Sequence, residues 1–176
     1  MESLHPDWGQ VGSNLFTLLA AYVLALPIAW DRELQARSAG LRTFPLVALA
    51  SCALVLIGKL IMPDSPGSQA RLIQGLMTGV GFIGGGAILK HGMTVEGTAT
   101  AASVWSTGVV GIAVAYSRYE IAIILAVLNF ATLRLLTPLK RRLNPLIDDR
   151  DEDDGEPKGQ GTQRTQGTQG TQGTSR

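Results

Sequence analysis

Asp31-Arg32-Glu33 sets two carboxylates around a guanidinium directly beside a long apolar run. A carboxylate at a membrane edge is costly unless it is paired. The triplet therefore reads either as a solvated basic loop with local ion pairs or as a functional polar cluster. Arg42 and Arg71 also border apolar segments, and these five residues form the candidate cluster. Carboxylates suit hydrated magnesium, which prefers oxygen ligands and keeps most of its waters. Two of them define no metal site, so no resident metal or cofactor is expected.

Catalytic constellations are not evident. His5 and His91 are the two histidines, Cys52 stands alone in an apolar run, and no nucleophile elbow, His-Glu-x-x-His or phosphate-cradling loop occurs. An enzyme is not expected. A net charge of +1 over 176 residues, with basic residues gathered at segment ends, argues against a nucleic-acid surface.

The elements that must position the cluster are apolar helices. Spans are predicted at 14–30, 43–62, 72–89, 98–116 and 119–137, each near the length needed to cross about 30 Å of hydrocarbon. Residues 1–13 form a short N-terminal segment lacking Lys and Arg, and 138–147 a basic juxtamembrane segment. Residues 148–176 are an acidic stretch and a Gly-Thr-Gln repeat whose composition predicts disorder. Lys and Arg are rich in alternate joints, which predicts an outside N-terminus and a cytoplasmic C-terminus by the positive-inside rule. The predicted fold is an all-α polytopic membrane bundle, with the third and fourth helices at its centre.

Small residues are dense in those two helices. Gly75 and Gly79, Gly81 and Gly85, and the row Ala99, Ser103, Thr107, Gly111, Ala115 recur at intervals of four, which places each set on one helix face. Such rows let helix backbones approach closely in a bilayer. Gly84-Gly85-Gly86 can alternatively break the third helix and line a polar cavity. Trp105 reads as core packing, Asn129 as an interhelical hydrogen bond, and Arg134 and Lys59 as edge anchors. Arg71 either snorkels or pairs with Asp64 or Glu120.

Asp31-Arg32-Glu33, Ala39-Gly40-Leu41-Arg42-Thr43, Arg71, the run Gly79 to Leu89 and the run Thr98 to Trp105 follow one another in an order that resembles the MgtC/SapB family of bacterial inner-membrane proteins. The resemblance covers about 14–137, without the folded cytoplasmic domain that follows the last span in some members. Ser68-Gln69-Ala70 also stands where members often carry Asp-Pro before the arginine matching Arg71. The resemblance implies a part in growth at low magnesium, membrane energetics and survival inside hosts. Partners are the lipid bilayer, further copies of the chain or other membrane proteins, ATP synthase among those the resemblance implies. Two functions follow: an accessory or regulatory protein acting by helix association, or a cation transporter with a path near the glycine-rich third helix.

Overall fold

A computed structural model describes residues 7–35, 40–91 and 94–143. Five helices appear in chain order: α1 (Trp8–Gln35), α2 (Thr43–Ile61), α3 (Pro66–Gly86), α4 (Thr98–Ala115) and α5 (Tyr119–Leu143). Between α3 and α4 lies an antiparallel hairpin of β1 (Leu89–His91) and β2 (Thr94–Glu96), with Lys90 opposite Val95. Two compact units divide the chain at Leu139, and the described part of the second is the last turn of α5.

Four of the helices, α1, α2, α4 and α5, are long and apolar enough to cross a membrane. The third predicted span yields a helix of sufficient length but not of sufficient apolarity, because α3 carries Ser68, Gln69, Arg71 and Gln74 in its first half and seven glycines among its 21 residues. Prolines fall where helices accept them. Pro45 sits in the first turn of α2 and Pro66 opens α3, where a missing N–H costs little. Pro27 lies inside α1, and the helix continues past it.

Packing centres on α4. Its Ser103, Thr107, Gly111 and Ala115 are all buried, while Ala99, at the start of the same row, is exposed. Any side chain at Gly111 would collide with the Ala48 carbonyl of α2, and a Cβ at Gly108 would lie 3.1 Å from Val80 of α3. The backbones of α2 and α4 thus meet almost without intervening side chains, as small residues permit. Cys52 Sγ lies 4.0 Å from the Thr17 carbonyl, a contact between α2 and α1. The centre of the bundle is therefore α2 and α4, rather than the third and fourth helices. On α3 only Val80 and Gly84 are buried.

The third helix is continuous. It runs through Gly84 and Gly85 and stops at Gly86, three residues before the predicted end at Leu89. The Ala87 and Ile88 N–H groups close onto the Gly84 and Gly85 carbonyls at 3.0 and 3.1 Å, so the glycine triplet is a helix end and not an interior break. Gly97 then starts α4 with φ of +79°, and a Cβ there would strike the Ala87 carbonyl. Residues 1–6, 36–39, 92–93 and 144–176, including the repeat tail, lie outside the described residues.

Candidate functional site

Asp31 and Arg32 lie near the C-terminal end of α1, and both are buried. Arg32 Nη2 donates to Asp31 Oδ2 at 2.8 Å, within the range of a charge-assisted hydrogen bond. From α5, the largely exposed Arg134 brings Nη1 to 3.8 Å from Asp31 Oδ1. One carboxylate thus faces guanidinium groups from the first and last helices. The sequence places Arg134 at the inner edge only as an anchor. Its match with Asp31 becomes readable once alternate joints are assigned to opposite ends of the bundle.

Glu33 does not join this cluster. Its side chain is exposed, and Oε2 accepts the Leu41 N–H at 2.9 Å, tight against Gly40. Gly40 in turn accepts the Thr43 N–H at 3.0 Å, so Glu33 clamps the connection that leads into α2. Arg42 and Arg71 also stand apart from Asp31. They line one groove between α2 and α3, of about 820 Å³, whose walls include Leu46, Leu54, Gly75 and Gly79. Neither expected partner reaches Arg71, since Glu120 pairs with Arg118 at 3.8 Å and Asp64 forms no ion pair among the described residues.

A second polar group joins α4 and α5. Ser103 Oγ donates to Asn129 Oδ1 at 3.2 Å, and Asn129 Nδ2 donates to Ser106 Oγ, so Asn129 bridges α5 to α4 as an interhelical hydrogen bond. Thr107 Oγ1 donates back to the Ser103 carbonyl at 2.8 Å. Ser106 sits three residues from Ser103, outside the row of four-residue steps, and shares the helix side that faces Asn129. At the opposite end of α2, Lys59 Nζ donates to the Ala115 carbonyl at 3.0 Å and sits over the Tyr116 ring, while Tyr116 Oη donates to Gln69 Oε1 at 2.9 Å. Lys59 therefore anchors α2 to the end of α4.

The glycine rows of α3 divide between surroundings. Gly84 packs against the Ala101 carbonyl, 3.0 Å from where a Cβ would stand. At Gly75, Gly79, Gly85 and Gly86 a Cβ would meet nothing within 4 Å, and at Gly81 it would reach only Trp105 Cδ1 at 4.0 Å. Most of α3's glycines therefore face open space among the described residues. Trp105 is half exposed on the surface of α4 and does not fill the core, because the crowded inner face of α4 has room only for small side chains.

The MgtC family model matches residues 18–142, from within α1 almost to the end of α5, and takes in both polar groups. The chain belongs to the MgtC family. Family relatives include Protein MgtC of Salmonella typhimurium, 33% identical over 132 residues, covering 75% of this chain and 56% of the relative. An uncharacterized protein of Synechocystis is 33% identical over 138 residues, covering 78% of this chain and 57% of its own length. Protein MgtC of Brucella abortus is 33% identical over 132 residues, covering 75% and 55%. The chain thus spans little more than half the length of the curated relatives it matches. No solved structure matches it significantly.

Proposed function

We propose that this MgtC-family membrane protein is an accessory or regulatory protein of the bacterial inner membrane that acts by helix association. Its N-terminus lies outside and its C-terminus in the cytoplasm. The face of α3 that carries Gln74, Thr78, Gly81 and Gly85 supports this reading. Gln74 and Thr78 are exposed, and Gly85 has open space above it. Thr78 satisfies its hydroxyl on the Gln74 carbonyl at 2.9 Å, but the Gln74 amide has no partner among the described residues. In hydrocarbon an exposed amide beside glycines gains from a neighbouring helix that supplies a hydrogen bond and close backbone contact. That neighbour is a second copy or another membrane protein, and ATP synthase belongs to the latter group by the family resemblance. The role in magnesium or membrane-energy homeostasis, and in stress or virulence adaptation, rests on the same resemblance.

The test is crosslinking in cells, comparing wild type with Gly85→Val and Gln74→Leu. A Cβ at Gly85 meets nothing within 4 Å, and helicity by circular dichroism checks that the valine variant folds. Loss of crosslinked species in both variants is the expected result, and unchanged crosslinking would overturn it.

A second reading, cation transport, draws on the buried Asp31-Arg32 pair and the Ser103-Asn129-Ser106 chain, polar groups that membrane interiors hold mainly for function. Magnesium flux into liposomes that is lost in Asp31→Asn would favour it over the accessory role.

A further inference from the structure

We propose that the groove between α2 and α3 holds one anionic phospholipid, with its phosphate on Arg42 and an acyl chain along the groove floor. This face of α3, with Gly75 and Gly79, is turned about a quarter-circle or more from the Gly81 and Gly85 face, at 100° per residue. The inference therefore stands apart from the proposed function.

Shape supports a chain-like ligand. The α2 wall runs from Thr43 to Leu54, and at 1.5 Å per residue this is about 16 Å, close to the depth of one leaflet in a core of about 30 Å. Ala50, Gly75 and Gly79 contribute small or absent side chains to the lining, and the two glycines leave open space there. An acyl chain can lie flush along such a floor.

Charge selects the head group. Arg42 and Arg71 are the charged residues of the lining, which includes no carboxylate, and neither arginine has an ion pair among the described residues. Arg42 immediately precedes α2, at the end of the groove where a head group can sit, and a guanidinium binds phosphate through two parallel hydrogen bonds. Arg71 lies beside Leu72, farther along the groove, where its stem can wall the far end of the chain. A second copy seated groove on groove would set arginine against arginine, since neither lining carries an acid to offset them. A lipid phosphate supplies the missing charge.

Native mass spectrometry of the full chain, released from bilayers of phosphatidylcholine with a minority of phosphatidylglycerol, tests the assignment. One retained phosphatidylglycerol per chain is expected, with phosphatidylcholine lost. Arg42→Gln should lower retention about tenfold, the loss of one charge-assisted contact of roughly 1.4 kcal/mol. Gly79→Leu should abolish it by filling the floor, while Gly85→Leu, outside the groove, should leave it unchanged. Helicity by circular dichroism checks that each variant folds. Equal retention of both lipids overturns the proposal, as does retention unaffected by Arg42→Gln or by Gly79→Leu. Loss on Arg71→Gln without loss on Arg42→Gln would overturn the placement of the head group, and a dimer in place of the lipid would overturn the occupant.

Discussion

Asp31 on α1 and Arg134 on α5 approach to 3.8 Å, joining the first and last helices through a carboxylate that is wholly buried and a guanidinium that is mostly exposed. The asymmetry in burial separates the two residues energetically. Removing one member of a buried pair typically costs about 3–5 kcal/mol, whereas a largely exposed partner contributes about 0–1 kcal/mol.

Asp31→Ala, which breaks the buried contact with Arg32, should therefore destabilise the fold by about 3–5 kcal/mol. Arg134→Gln should cost less than about 1 kcal/mol. Reversible unfolding in mixed detergent micelles measures both. Equal effects would show that Arg134, rather than Arg32, carries the compensation.

Gly111 and Gly75 should respond in opposite directions to alanine. At Gly111 the methyl group runs into the Ala48 carbonyl and should force α2 and α4 apart, a cost of about 1–3 kcal/mol or more. At Gly75 the methyl meets nothing, and the gain in helix propensity should be up to about 1 kcal/mol. Midpoints from the same unfolding assay, compared as a pair, decide it.

Asn129→Leu removes both hydrogen bonds between α5 and α4 while keeping a side chain of similar size. Interhelical hydrogen bonds in membranes average about 0.6 kcal/mol and reach about 2. A loss in that range is expected, with α5 the first helix to become accessible to hydrogen exchange. A loss above about 3 kcal/mol would mean that the polar group does more than join two helices.

Gly97→Ala places a side chain at φ of +79° and against the Ala87 carbonyl. Left-handed backbone alone costs an ordinary residue about 1–2 kcal/mol, and the collision adds to it. The β hairpin should loosen before the helices do. Faster hydrogen exchange in β1 and β2, with the exchange of α2 unchanged, is the expected signature.

Much of the bundle is legible in the residues. Long apolar runs give α1, α2, α4 and α5 because a chain in lipid must satisfy its own backbone, and a helix does so within one segment. The interhelical role of Asn129 follows from a polar residue that sits within one of those runs. Family membership is readable from motif order, since Asp31-Arg32-Glu33, the glycine run and the Thr98 to Trp105 run lie within the region that the family model matches.

Spacing could not show what each small residue faces. Gly75 and Gly111 belong to equally regular rows, yet one opens onto a groove and the other is closed by a carbonyl of α2. A row of four-residue steps fixes a face on its own helix, but whether that face is covered depends on where a second helix crosses it. The same holds for charge. Asp31 and Glu33 are two residues apart, and a helix turns them about 200° from one another. One therefore points into the bundle toward Arg32 and Arg134, and the other out to Leu41. Sequence alone determined which stretches are apolar enough to form helices and which residues carry charge, because those are local properties of the chain. Tertiary structure alone decided which charges are buried together and which glycines remain open, because burial belongs to pairs of helices and not to either one.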